Sequence, residues 1–173
     1  MYNSPRMHHL HQVAITTLSE QDPVPPSRWQ DHVQPLRLIL QTFSTVSEKP
    51  DEFWERMVPF FIRKQHAVGT VLYESREDPD GFYLLETGTL KARYEYPQGK
   101  YSELIVAGTT CGELPFFSDT KRTATTTADT DCVTWMLDTH SWEDIQARQP
   151  DVASELLKIS LKLTTERMDA ITK

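Results

Sequence analysis

Glu113 and Arg122 stand at a fixed offset on either side of a short apolar turn, in the run Cys111-Gly112-Glu113-Leu114-Pro115-Phe116-Phe117-Ser118-Asp119-Thr120-Lys121-Arg122-Thr123-Ala124-Thr125. A Gly-Glu-Leu turn that opens a single helical turn points free backbone N–H groups at one spot, and such a spot attracts a phosphate. Arg122, returning on the next strand, offers the fork of donors that a phosphate accepts in pairs. Glu113 would not touch the phosphate, but its carboxylate accepts hydrogen bonds from a sugar hydroxyl. A ribose phosphate satisfies both groups together. The plainer alternative is that Glu113 and Arg122 pair with each other and stabilise little.

Other arrangements that chemistry would need are incomplete. Ser118, Asp119 and His140 make no nucleophile set, because no Gly-x-Ser-x-Gly elbow occurs. Asp78-Pro79-Asp80-Gly81 lacks the later ligands and terminal glutamate of a calcium loop, so it reads as a tight turn. His8, His9 and His11 cluster without a carboxylate or cysteine arrangement and read as a solvated tail. A metal enzyme on a double-stranded β-helix needs two or three converging histidines with a carboxylate. His66 and His140 lie far apart in the strand pattern, and His32 precedes it.

The 173 residues suit one compact domain with an adequate core. A net charge of −7 and a pI near 5.3 exclude a nucleic-acid surface, which wants a basic face. They do not exclude a small anion, since one arginine and a helix N-terminus act locally. No stretch reaches the roughly 18–20 apolar residues of a membrane span, and Met1 to Leu10 lacks a signal-peptide core. Cys111 and Cys132 form no disulfide framework, so reduced, cytosol-facing thiols are the default.

Several elements must position the cassette. Residues 1–27, ending in Asp22-Pro23-Val24-Pro25-Pro26, read as a tether. Ser27 is a helix-cap candidate, and Trp29, Val33, Leu36, Leu40 and Phe43 make one apolar helical face that Pro35 interrupts. A second helical piece, Asp51 to Phe60, carries Phe53, Trp54, Met57 and Phe60. From Phe61 to Asp138 short strands follow, with turn signals at Gly69, Asp78 to Gly81, Gly88, Pro97-Gln98-Gly99 and Gly108. Leu90, Ala92, Tyr94 and Tyr96 alternate with Lys91, Arg93 and Glu95, as on a strand with one wet face. Such spacing predicts a sandwich or barrel. A short helix over 140–148 carries Trp142 and Ile145; Trp135 and Trp142 are expected in the core. A longer helix restarts at Pro150. On it Val152, Leu156, Ile159 and Leu163 form a ridge that Leu157, Leu161 and Met168 broaden.

The run from Gly112 to Thr123 resembles the phosphate-binding cassette of the cyclic-nucleotide-binding domain family, in which a Gly-Glu-Leu is followed at this spacing by an arginine and a small or hydroxyl residue. Val68 to Glu74 resembles the family's opening strand pair, Gly81 to Gly88 its aromatic-aliphatic strand, and Cys132 to Trp142 its last strand entering a helix. The resemblance, over roughly residues 50–173, implies a mainly β fold with flanking helices. The expected form is a β-barrel or jelly roll (double-stranded β-helix) with N-terminal helices and a C-terminal helical lid. The implied division is a tether over 1–27, N-terminal helices over 28–60, a barrel over 61–138 with the cassette at 111–125, and C-terminal helices over 139–173.

Gly112, Glu113, Leu114, Arg122 and Thr123 become the implied ligand-binding set, with Gly112 and Glu113 on ribose and Arg122 and Thr123 on phosphate. Thr123 implies a preference for cyclic GMP; alternatively, Thr123 to Thr127 is simply a β-branched strand. Two departures stand out. Pro115 replaces a residue with an N–H and removes one possible bond to a phosphate, about 1 kcal/mol. The end of the last helix offers Met168 and Ile171 but no aromatic to cover a base.

The run Gln21 to Pro26, with Phe82 to Glu86, Pro97 to Tyr101 and Ile159 to Thr164, resembles the cytosolic tail of fungal sulfate-transporter-family permeases, which carry STAS and cyclic-nucleotide-binding-like domains. The resemblances together imply a non-catalytic regulatory module that binds cyclic AMP or cyclic GMP and signals through its C-terminal helix. The alternative is a ligand-independent docking domain of the same fold. No cofactor is expected. Expected partners are the cyclic nucleotide and a transporter or STAS domain or another protein, with no nucleic acid and no membrane insertion. The expected location is cytoplasmic, at the cytosolic face of a membrane if attached to a transporter. A catabolite-activator-type regulator is not expected, because no helix-turn-helix follows the long helix.

Overall fold

A computed structural model describes residues 49–171. The tether over 1–27 and the helical face from Trp29 to Phe43 lie outside the described residues, as do His8, His9, His11 and His32. Two four-stranded sheets form the described body, with every strand pairing antiparallel. The strands are β1 (Ile62–His66), β2 (Val71–Tyr73), β3 (Gly81–Thr87), β4 (Thr89–Tyr96), β5 (Gly99–Val106), β6 (Thr110–Cys111), β7 (Thr125–Ala128) and β8 (Cys132–Asp138). One sheet runs β1-β8-β3-β6 and the other β2-β7-β4-β5. This meets the sandwich or barrel expected of the strand pattern, in the jelly-roll form that the resemblance implied.

The helices follow the apolar faces. Helix α1 (Asp51–Glu55) is followed by a 3₁₀ turn at Val58–Phe60, not by one continuous helix to Phe60. Pro59 explains the break: it lacks the N–H a continuing helix would need, and it disfavours helical backbone at Val58. Phe53, Met57 and Phe60 are nonetheless buried; the side chain of Trp54 lies outside the described residues. Helix α2 (Glu113–Ser118) sits in the cassette, and α3 (Thr139–Arg148) and α4 (Pro150–Ile171) close the chain. Asp138 caps α3 by accepting the Ser141 N–H at 2.7 Å.

Strands β3 and β8 are apolar on both faces because both faces are covered. Phe82, Leu84, Trp135 and Leu137 point to the helices, where Met57, Phe61, Ile145, Val152, Leu156 and Leu163 meet them. Tyr83, Leu85, Cys132 and Met136 point into the barrel with Tyr73, Leu90, Ala92 and Ile105. Trp135 is fully buried and its indole N–H donates to Glu86 at 2.7 Å, while Trp142 packs against the helical cluster. The ridge Val152, Leu156, Ile159 and Leu163 is buried as expected. Leu161 and Met168 do not broaden it; both side chains are exposed. One sheet face accommodates only one stripe of a helix, so Leu161 stays in water and Met168 borders an open cavity instead.

Candidate functional site

The cassette is anchored from below. Phe116 and Phe117 of α2 pack on Phe82 with ring centroids 5.5 and 5.2 Å away, and Phe117 meets Trp142 edge-on at 5.2 Å. Gly112 opens α2 with φ at +77°, a left-handed backbone that L side chains resist. A Cβ there would also collide with Arg122 Nη1. The glycine is therefore required twice over. Pro115 sits in the first turns of α2, and its carbonyl accepts the Thr120 N–H at 3.1 Å.

Arg122 enters this region on a backbone clamped by the loop before β3. Its N–H donates to the Glu77 carbonyl at 2.9 Å, and its carbonyl accepts from Arg76 at 2.8 Å. The guanidinium is buried. It donates to the Gly112 carbonyl at 2.9 Å, the Gly81 carbonyl at 2.6 Å and Asp80 at 3.3 Å, and lies 4.0 Å from the Tyr73 ring centre. The Asp80 carboxylate is largely exposed, so that ion pair is weak. The two carbonyls and the ring define the pocket of this cation.

Glu113 does not pair with Arg122. Its Oε1 accepts from the Thr164 hydroxyl at 2.5 Å and from Arg167 Nη2 at 3.0 Å, both on α4. Arg167 also donates to the Thr110 carbonyl at 2.6 Å, and its Nε lies 3.0 Å from Glu103 Oε1. Burial pulls the Arg167 pKa down, and the Glu113 and Glu103 carboxylates more than reverse that, so it ends above the ordinary arginine value. The alternative of an internal pair fails because Glu113 takes its partners from α4 and Arg122 takes backbone carbonyls of Gly112 and Gly81. Glu113 Oε2 is buried with no hydrogen-bond partner.

A cavity of about 710 Å³ opens above these groups, within the roughly 300–1,000 Å³ of small-molecule sites. Gly112, Glu113, Leu114 and Thr123 line it, and Arg122 does not; it lies behind Gly112. The lining also includes Tyr94, Tyr96 and Tyr101 of the β4–β5 hairpin, Glu103 of β5 and Arg167 and Met168 of α4. Of these, sequence reasoning had placed only Met168 near a ligand. The signal for Arg167 was present: Ser160, Thr164 and Arg167 recur at helical spacing beside the apolar ridge, a polar stripe on a buried face. Tyr94 and Tyr96 continue the inward positions of Leu90 and Ala92 past the end of the barrel. Cys111 lines the cavity floor beside the Tyr73 hydroxyl, 2.9 Å away, and burial pushes its thiol up to about 11.

The family model for Cyclic nucleotide-binding domain matches residues 63–149, half of the chain and all of the cassette. The chain belongs to the cyclic nucleotide-binding domain family. The fold agrees: a cyclic nucleotide-binding domain from Methylobacillus flagellatus superposes with a TM-score of 0.75, at 17% identity, over 82% of this chain and 80% of that one. The regulatory domain of Toxoplasma gondii PKA, crystallised with cAMP, superposes with a TM-score of 0.59 at 19% identity, over 72% of this chain and 47% of that one. At these identities the likeness is one of fold. The Vacuolar basic amino acid transporter VSB1 of Saccharomyces cerevisiae is 33% identical over 106 residues, 60% of this chain and 10% of the transporter. The chain thus spans about a tenth of that relative's length. Among the described residues no helix is long and apolar enough to cross a membrane.

Proposed function

We propose that this chain is a non-catalytic regulatory module whose cavity binds a cyclic nucleotide, cyclic AMP or cyclic GMP, and whose α4 carries the signal outwards. The observation that carries the reading is Glu113 Oε2, a buried carboxylate oxygen without a hydrogen-bond partner, on a residue that lines the cavity. A buried acceptor of this kind is costly unless a donor arrives. A ribose hydroxyl is such a donor. Gly112 and Leu114 lie beside it, and Thr123 offers a hydroxyl to a phosphate or a guanine. Arg122 contributes its charge from behind Gly112 and holds the carbonyl of the turn that the phosphate would approach.

Signalling through α4 follows from the same contacts. Thr164 and Arg167 tie α4 to Glu113, so a ligand that draws on Glu113 changes the free energy of that tie. Attachment to the cytosolic part of a transporter is supported by the transporter relative; the sulfate-permease type, with a STAS domain or the transporter itself as partner, is what the sequence resemblance implies. A second reading, a docking domain that works without ligand, is favoured by the two backbone carbonyls that already take the Nη donors of Arg122.

Calorimetric titration of the 173-residue chain with cyclic AMP and cyclic GMP tests the proposal, alongside Glu113→Gln, which keeps an acceptor for Thr164. Micromolar binding that weakens about 10- to 100-fold in the variant is expected from loss of one charge-assisted bond. No heat up to millimolar ligand from the folded chain would leave the docking reading.

A further inference from the structure

We infer that Glu103, Glu113 and the Thr110 carbonyl form a guanidinium cradle in the wall of the cavity, and that a free guanidinium compound of the arginine class enters it in place of Arg167. This goes beyond the nucleotide reading and does not rest on it. The first observation is how Arg167 is held. Each of its three nitrogens faces a different acceptor. Nη1 donates to the Thr110 carbonyl at 2.6 Å, Nη2 donates to Glu113 Oε1 at 3.0 Å, and Nε lies 3.0 Å from Glu103 Oε1. These acceptors come from β6, α2 and β5. Both carboxylates are oriented by other groups as well, Glu103 by the Tyr94 hydroxyl at 3.0 Å and Glu113 by the Thr164 hydroxyl at 2.5 Å.

The second observation is that Arg167 fills the cradle incompletely. Glu113 is 1% exposed, and its Oε2 has no hydrogen-bond partner. Glu103 Oε1 lies within ion-pair distance of Nε, yet it too is a buried acceptor without a hydrogen bond. Arg167 is tethered to α4 and does not turn its fork squarely onto both carboxylates. A free guanidinium carries no tether, and its paired donors match a carboxylate bidentately. The third observation is charge. Among the described residues that line the cavity, Arg167 is the one cation and Glu103 and Glu113 are the acids. With Arg167 drawn out, both carboxylates face the cavity with no cation in its lining, and a buried charge without a partner is costly. An entering cation offsets that cost, and a planar guanidinium suits these acceptors better than the compact, strongly hydrated ammonium of lysine. The exchange removes one of the two ties between α4 and Glu113, so it reaches α4 as well. A nucleotide sugar and a guanidinium draw on the same carboxylate, so the two ligands compete.

The test is chemical rescue. The 173-residue chain is prepared as wild type, Arg167→Ala, Arg167→Gln and Arg167→Ala with Glu103→Gln, and is titrated calorimetrically with methylguanidinium, L-arginine and L-lysine at constant ionic strength. The two single variants are expected to bind both guanidinium compounds at least roughly 10-fold tighter than wild type does, and tighter than they bind lysine by a similar factor. Adding Glu103→Gln should weaken binding by about 10-fold. Melting gives a second readout: methylguanidinium at millimolar concentration should raise the melting temperature of Arg167→Ala and not that of wild type. Arg167→Gln keeps side-chain donors for the cradle, so it is expected to fold even where the alanine variant does not. A folded Arg167→Gln chain that takes up neither guanidinium compound at millimolar concentration overturns the cradle and leaves the nucleotide reading standing. Equal binding of guanidinium and lysine, or equal binding by wild type and variants, overturns it as well.

Discussion

Arg122→Ala is predicted to be first a stability variant, whatever it does to ligand affinity. The side chain is 2% exposed and supplies donors to the Gly112 and Gly81 carbonyls at 2.9 and 2.6 Å. Truncation leaves each carbonyl without that donor, at about 1–3 kcal/mol apiece. The cation over Tyr73, at 4.0 Å, adds about 0.5–2 kcal/mol. Relief from keeping a guanidinium out of water works the other way, as does its Nε, which is buried without a partner. The balance is a loss of about 3–5 kcal/mol, the range for breaking a buried charged network. With a urea slope of roughly 2 kcal/mol per molar, the midpoint should drop by about 1.5–2.5 M. Urea unfolding followed by circular dichroism measures it. A midpoint within about 0.5 M of wild type would refute the reasoning and show that the carbonyls find other donors. The consequence is practical: lost binding in this variant would not identify a phosphate contact, and Glu113→Gln is the cleaner probe.

Gly112→Ala should cost about 2 kcal/mol or more in the same assay, because it combines positive φ with a Cβ driven into Arg122 Nη1. Cys111 makes the chain sensitive to alkali: burial holds its thiol neutral to about 11, whereas the unfolded thiol ionises near 9.0. Between those values the unfolded state binds fewer protons, so stability falls as pH rises, by roughly 2–3 kcal/mol. Chemical denaturation from pH 8 to 11 should show that slope, and Cys111→Ala should flatten it, leaving the later loss from Tyr73, Tyr83 and Tyr94, whose pKa values burial raises. A slope unchanged in Cys111→Ala would assign it elsewhere.

Much of the frame was legible in the chain because its signals are local. Turn residues at Gly69, Gly88 and Gly108 separate strands whose alternation names their inward side, and Leu90 and Ala92 are buried while Arg93 is exposed. The ridge from Val152 to Leu163 needs only helical period. The doubly buried runs of β3 and β8 carry no alternation, so their neighbours came only from the fold. The cassette's spacing was equally plain, since Gly112 and Arg122 flank one short helix, although Arg122 lies in the loop before β7 and not on the strand itself.

What each charge touches was not plain. Glu113 could reach Arg122 in sequence terms, yet its partners are Thr164 and Arg167, more than fifty residues away. Arg122 takes its place from Gly81 and Tyr73, and the tyrosines of the β4–β5 hairpin line a site only once β5 and α4 border the same cavity. Local pattern sets which face of an element is apolar, because that follows from backbone period. The pairing of buried charges depends on distances between elements remote along the chain, and only the packed tertiary structure decides those.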